Sequence, residues 1–368
     1  MSAHDAAVGA ALSLANLPPL PDRPLVSVVI PALNEERYIG ACLESLERQT
    51  YDHGRIEVIV ADGGSEDRTR DIVSEFARRS TLRAVRLVDN PRRRAPHGLN
   101  AGVAVANGEV IIILGAHSEA APDFVEQNVN VLRETNAAAV GGPLVTKAHG
   151  RIGPAIAAAM SHPFGVGDAR FRWSTRPGPV DTIAFAAYRR ACFERLGGFP
   201  DIEKGVDDAF NYLVRSAGGV LYLDPRIRSV YYARMSLPAL WRQYFGYGKA
   251  RGRLLRRAPR SVRWRHLVPL AALVAGAAAG SAALVSLPAR RLLAGLAGTY
   301  LLLDAAAAAH ASRERPWLAP LVALTFPTMH AAYGLGEAVG FLHALVTPPT
   351  PDDALRPGAA APASAFDS

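Results

Sequence analysis

The sequence predicts an α/β domain built on a mostly parallel sheet with helices on both faces, followed by a C-terminal all-α transmembrane region. Three observations carry this. Short apolar runs without alternation recur at 26–30, 56–61, 83–88 and 109–114, which is how strands buried on both faces read. Helical patterns lie between them, as in sheets whose strands connect through helical crossovers. Hydrophobic residues make up 49% of the chain, and the excess falls in the last third, where apolar stretches reach bilayer length.

The elements follow in order. Residues 1–23 hold Asp5 and Asp22 and lack a basic start, so they read as a flexible lead-in, not a signal peptide. The α/β domain is expected over 24–235. Its first strand ends in Pro31-Ala-Leu-Asn34-Glu35. Ile39, Cys42, Leu43 and Leu46 then fall on one helix face. The second strand ends in Asp62-Gly-Gly-Ser65. A helix is expected over 122–134, with Pro122 at its start. Residues 145–180 are rich in Gly, Arg, His and Pro without periodicity and read as a mobile active-site region. An extended run at 181–187 and helices at 188–196 and 206–216 complete the domain.

Residues 236–266 mix Leu237, Leu240, Trp241, Tyr244 and Phe245 with many cations. The pattern fits a basic amphipathic segment at a membrane interface, or an ordinary helix packed on the domain. Three membrane spans are expected within 267–346, at 267–287, 291–310 and 317–345. Asp304, His330 and Glu337 lie inside them and are expected to face protein or water. Arg290 and Arg291 fall in the loop that should face outward, against the usual charge asymmetry. The Pro/Ala-rich tail at 347–368 reads as disordered.

Net charge is +8, yet the cations concentrate in residues 249–266, beside the first apolar span. A basic cluster there is the signature of a cytoplasmic membrane collar that attracts anionic lipid, not of nucleic-acid binding. The two cysteines, Cys42 and Cys192, offer no disulfide framework and no thiolate metal site, which suits a reducing compartment. The histidines show no metal spacing, and no Ser/His/Asp arrangement is readable.

In open parallel sheets ligands bind past the carboxyl ends of the strands. Pro31, Asn34, Glu35 and Asp62 fall there, on one rim. Asp62 precedes Gly63-Gly64, where backbone can approach a ligand; a plain turn role is its alternative. Glu35 is either a pocket residue or a first-turn acid favoured by the helix dipole.

At these residues the chain resembles the family 2 glycosyltransferases, which have a Rossmann-like GT-A fold. The matching pieces are Pro31-Ala-Leu-Asn-Glu35, Asp62-Gly-Gly-Ser-Glu-Asp67, Leu99-Asn-Ala-Gly102, Gly197-Gly-Phe199 and Asp207-Asp-Ala-Phe-Asn-Tyr212. The resemblance covers roughly residues 24–255. Tyr333-Gly-Leu-Gly336 in an apolar stretch is similar to the membrane-anchored subgroup that includes succinoglycan-type glucosyltransferases of exopolysaccharide assembly.

The resemblance implies an inverting transfer of a sugar from a nucleotide diphosphate, with UDP-glucose as the first donor, to a saccharide on a polyprenyl-linked lipid at the cytoplasmic membrane face. Transfer straight onto polyprenyl phosphate is the alternative. A degenerate nucleotide-sugar-binding scaffold is a third reading. Asp62 is implied as a contact to the nucleotide base or ribose. The family carries Asp-x-Asp or Asp-x-His after the fourth run; here Gly115 takes the place of the first, nucleotide-contacting acid. His117 remains at the metal position and Glu119 lies two further on. His117, with or without Glu119, is then implied to hold Mn²⁺ or Mg²⁺, since a metal bridging phosphates needs few protein ligands; imidazole favours Mn²⁺. Arg92, Arg93 and Arg94, and Lys249 with Arg251, are candidate phosphate partners. The last two follow Gln243-Tyr-Phe-Gly-Tyr-Gly248, similar in place to the Gln-x-x-Arg-Trp of membrane synthases but different in sequence. Aligned on Phe210, the family's catalytic base falls on Asp207, while Val206 replaces the preceding Glu; Asp208 is the competitor.

Overall fold

The apolar runs form the strands they were read as. Val26–Ala32 (β1), Ile56–Asp62 (β2), Ala84–Asp89 (β3) and Val110–Ile113 (β4) lie side by side and parallel in the order β3-β2-β1-β4. The computed structural model describes residues 12–348 and Leu355. Every residue of β2 is buried, including Glu57, whose carboxylate accepts from Ser27 Oγ and pairs with Arg86, both at 2.6 Å. Ile39–Glu47 (α1), Thr69–Arg79 (α2) and Ala95–Val105 (α3) connect these strands. Ile39, Cys42, Leu43 and Leu46, the face read from spacing, are all buried.

Phe124–Thr135 (α4) follows the short strand Ser118–Ala120 (β5), with Pro122 just before the helix. Past Ala139–Gly141 (β6), the strand Leu144–Lys147 (β7) leads into Gly153–Met160 (α5) and Pro163–Val166 (α6). Gly178–Val180 (β8) and Ala187–Arg189 (β9) come next, then Arg190–Leu196 (α7), Val206–Ser216 (α8), Leu221–Leu223 (β10) and Ser229–Tyr232 (β11). The main sheet continues from β4 as β9-β6-β10-β8, with β9 antiparallel to both neighbours. Thus the sheet is parallel on one half and mixed on the other. β5 and β11 pair antiparallel beside it.

The chain divides into two compact units. One runs to Val145 and resumes at Ser174–Tyr231; the other joins Thr146–Trp173 to the chain from Tyr232 on. Two expectations change. Residues 12–23 are not a loose lead-in: Leu14 and Leu17 are buried. The Leu14 amide donates to the Ala217 carbonyl at 2.7 Å, and Arg189 and Arg195 donate to the carbonyls of Pro18 and Ser13. Burying two leucines offsets part of the entropy of ordering the segment, and the hydrogen bonds to Ala217, Pro18 and Ser13 add to this offset. Residues 1–11 and nearly all of the expected disordered tail lie outside the described residues. The stretch 145–180 is only partly irregular. Its run Gly-Pro-Ala-Ile-Ala-Ala-Ala-Met is apolar all round and forms α5, a largely buried helix whose lack of periodicity reflects that burial.

In the second unit, Val268–Ala283 (α10), Leu287–Ala311 (α11) and Ala319–Val346 (α12) follow Leu237–Arg257 (α9). Three helical stretches here, Trp264–Ala283, Leu287–Ala311 and Pro316–Val346, are long and apolar enough to cross a membrane. α9 packs closely against α12 within this unit. A Cβ added at Gly248 or Gly252 would stand 2.0 Å from the Tyr333 or Glu337 carbonyl oxygen; at Gly336 or Gly340 it would stand 2.2 or 2.0 Å from the carbonyls of Phe245 or Lys249. Small residues at fourfold spacing on both helices bring the backbones together, the contact that drives helix pairing in lipid. Gly334 does the same against Pro269 of α10. The Tyr333-Gly-Leu-Gly336 motif is therefore a packing device. His330 joins this unit internally, its Nδ1 2.9 Å from the Tyr300 hydroxyl and its Nε2 2.8 Å from the Phe164 carbonyl.

Candidate active site

The carboxyl ends of β1 and β2 sit level: Ala32 is in register with Asp62, and Asp62 with Asp89. Pro31 lies beyond the stretch of β1 that pairs with β4, so its missing N–H leaves no gap in that ladder. Asp62 is fully buried. Its carboxylate accepts from the amides of Gly64 and Ser65 at 3.1 Å, the Ser65 hydroxyl at 2.5 Å and Arg70 Nη1 at 2.8 Å. Burial pushes its pKa up, but the donors of Ser65 and Arg70 outweigh burial and hold it below the ordinary value. Arg70 also reaches Asp89 at 2.8 Å. Asp62 thus stands at the expected strand end with its carboxylate committed to shaping the turn.

The loop after β1 is stitched to the loop after β2. Asn34 adopts φ 55°, a left-handed conformation that Asn tolerates better than most residues. Its Oδ1 accepts from the Glu66 amide and its amide donates to Ser65 Oγ, both at 2.9 Å. Glu35 and Glu36 donate their amides to Thr69 Oγ1 and Asp67 Oδ2 at 2.8 and 3.0 Å. The two motif loops form one rigid rim.

After β4 the chain turns at Gly115, whose carbonyl accepts from Ser118 Oγ at 2.5 Å. His117 comes back to the rim: its Nδ1 stands 3.1 Å from Glu35 Oε1, and its ring meets Tyr231 edge-on at 5.5 Å. The sequence reading set Glu119 beside His117; the carboxylate found on its ring is Glu35, while Glu119 pairs its backbone with Val230 in β11. Glu35 therefore has a side-chain partner across the rim, beyond any first-turn role at the helix. No group of three His, Cys, Asp or Glu able to hold a metal occurs among the described residues. The Glu35–His117 pair nonetheless suits a single-ligand role. A carboxylate on Nδ1 fixes the tautomer that leaves Nε2 as the ligating atom.

Asp207 and Asp208 occupy the first turn of α8, both half-buried. The same helix carries Asn211, fully buried, which sequence reasoning left without a role. Its Oδ1 accepts from the Tyr188 hydroxyl at 2.7 Å and its Nδ2 donates to the Ile183 carbonyl at 2.8 Å. Leu99-Asn100 and Gly197-Gly-Phe199, separate motifs in the sequence, meet here. Asn100 accepts from the Phe199 amide at 2.7 Å and donates to its carbonyl at 2.9 Å. A Cβ on Gly198 would stand 2.3 Å from Asn100 Oδ1. Arg94, expected on phosphate, approaches Asp201 at 2.6 Å, and His97 lies 3.1 Å from the same carboxylate. Asp201 was not singled out by sequence, and with 107 positions separating it from Arg94 no local signal joins the two. Lys249 and Arg251 lie on α9, in the other unit.

The match to the Glycosyl transferase family 2 model covers residues 27–197. The chain is 30% identical over 247 residues to "Succinoglycan biosynthesis protein ExoA" of Rhizobium meliloti, spanning 66% of this chain and 74% of that protein. The chain belongs to glycosyl transferase family 2. This glycosyltransferase is also 28% identical over 246 residues, 65% of its length and 76% of the other's, to a Methanococcus voltae protein. That relative is named dolichyl N-acetyl-alpha-D-glucosaminyl phosphate 3-beta-D-2,3-diacetamido-2,3-dideoxy-beta-D-glucuronosyltransferase. Its fold is that of the mannosyltransferase PcManGT from Pyrobaculum calidifontis, solved with GDP-Man and Mn2+. The TM-score is 0.62 at 24% identity, covering 92% of this chain and 94% of that one. The expected GT-A architecture and transferase activity therefore hold.

Proposed function

We propose that this transferase moves a sugar, glucose first, from a nucleoside diphosphate donor to a saccharide on a polyprenyl-linked lipid, with inversion, at the cytoplasmic membrane face. The observation that carries it is the Glu35–His117 contact of 3.1 Å. It closes the loops after β1 and β4 into one rim beside the Asp62 turn, where a sheet of this kind receives its ligand. Asp62 and Asn34 fix the rim on which the nucleotide rests.

Asp207 is the base. Its carboxylate takes the proton of the acceptor hydroxyl as that oxygen bonds to the anomeric carbon. The bond from that carbon to the diphosphate oxygen breaks, and its electron pair leaves with the nucleoside diphosphate. One displacement without a protein nucleophile inverts the centre. His117 would hold Mn²⁺ or Mg²⁺ through Nε2 with Glu35 orienting the ring; such an ion neutralises charge on the leaving diphosphate.

The lipid acceptor rests on three supports: the three bilayer-length helices, the basic run at 249–266 beside them, and the dolichyl-linked acceptor in the name of the Methanococcus voltae relative. The test is a panel of labelled nucleotide sugars given to membranes holding the chain, followed by extraction of lipid products. Label in a lipid-linked oligosaccharide is the expected result. Label on polyprenyl phosphate alone would move the acceptor to the alternative. No label with any donor, despite nucleotide binding, would leave a scaffold. Asp207→Asn should slow transfer by about 10²–10⁴-fold while nucleotide affinity stays; wild-type turnover would end the assignment of the base.

A further inference from the structure

Phe185 is one of the few described residues other than glycine with positive φ, at 52°. For a bulky aromatic this costs on the order of 1 kcal/mol or more and persists only where the surroundings dictate it. Here they do, on both sides. Two residues upstream, the Ile183 carbonyl accepts from Asn211 Nδ2 at 2.8 Å, and Thr182 Oγ1 accepts from the same amide at 3.1 Å. One residue downstream, the Ala186 carbonyl accepts from the Ile113 amide of β4 at 2.9 Å. The strained residue is thus pinned between the sheet and α8, the helix that opens with Asp207.

What the strain achieves is the placement of the ring. A Cβ built on Gly115 would meet Phe185 Cε1 and Cζ at 3.0 and 3.1 Å. The ring covers the face of Gly115 from which an acid side chain would project. Phe185 is half-buried, and its ring lies 6.3 Å from that of Tyr231, which in turn meets His117. An aromatic row runs from Gly115 to the candidate metal ligand. The ring also packs against the edge of the hydrophobic core, so one side of it is anchored while the residue as a whole stays half-buried.

We propose that Phe185 is a donor-positioning residue, its ring giving the nucleotide sugar an apolar seat where the family sets a carboxylate; this rests on the transferase reading above. The test uses full-length enzyme in detergent, with UDP-glucose first or whichever nucleotide sugar the panel turns over. Phe185→Ala should raise donor KM about tenfold with kcat changed less than about threefold, the split of a lost binding contact. Phe185→Tyr should stay within about twofold of wild type, and Phe185→Leu should fall between. Gly115→Asp should lose donor affinity, and adding Phe185→Ala to it should recover part of the loss, since the two side chains compete for one space.

An unchanged donor KM in Phe185→Ala overturns the proposal, as does a loss confined to kcat. If the alanine variant does not fold, Leu against Tyr decides: equal KM values for both reduce the ring to filler and overturn it. A wild-type enzyme that binds no nucleoside diphosphate would instead sink the transferase site itself.

Discussion

Two parts of the rim are built by opposite means. The loops after β1 and β2 are laced together by side-chain to backbone hydrogen bonds from Asn34, Asp62, Ser65, Asp67 and Thr69. The turn after β4 has its own hydrogen bond, from Ser118 Oγ to the Gly115 carbonyl, and is then packed by rings: Phe185 over Gly115, Tyr231 against His117, with Glu35 as the polar tie between the two halves. The polar half needs small hydrogen-bonding residues at fixed spacing. The aromatic half needs partners far apart in the chain. One half therefore resists change residue by residue, whereas the other can exchange an acid for a ring if its neighbour changes too.

Breaking the polar half should have the largest effect. Asp62→Asn sets an amide NH₂ among donors and removes the buried partner of Arg70. The expected loss is about 2 kcal/mol of unfolding free energy, discounted because Arg70 is partly exposed, together with nucleotide binding. Urea titrations of both proteins check it. The same pair gives a pH test. The folded pKa of Asp62 is depressed below 3.8, so its stabilisation is complete above that value. It fades as pH falls through the lower, folded value. The stability gap between wild type and Asp62→Asn should accordingly close on acidification, and a gap constant from neutral pH to pH 3 would contradict the depressed carboxylate.

The tie between the halves comes next. His117→Ala should abolish the dependence of activity on added Mn²⁺, and Glu35→Gln should raise the Mn²⁺ needed for half-maximal rate about tenfold, in line with loss of a carboxylate that orients a ligating imidazole. Full wild-type activity in EDTA would remove the metal from the site. Asn34→Ala should be the mildest, about 1 kcal/mol of stability, from the left-handed backbone and the lost Glu66 contact.

The polar half was legible in sequence because its chemistry is local. Pro31 to Glu35 and Asp62 to Asp67 each sit where an apolar run stops, and the strands themselves announce the rim. The aromatic half was not: nothing in spacing says that Phe185 will cross to Gly115, or that Asn211 will hold it there. Glu35 reached His117 across 82 positions, and so was less visible as its partner than Glu119 two residues away. The stretch 145–180 misled for a different reason, since a helix buried on all sides shows no amphipathic rhythm. The contact of α9 with α12 was hidden because cations drew the eye from Gly248 and Gly252, the residues that decide this packing.

Those glycines have one more effect. With carbonyls about 2 Å from where a methyl would go, α9 has no freedom to roll or slide along α12. Its arginines from Arg251 to Arg257 are consequently locked in azimuth around the helix axis. At about 100° per residue, Arg253, Arg256 and Arg257 gather on one side of the helix and Arg251 lies on the other, so the locked helix holds its cations out in two fixed directions.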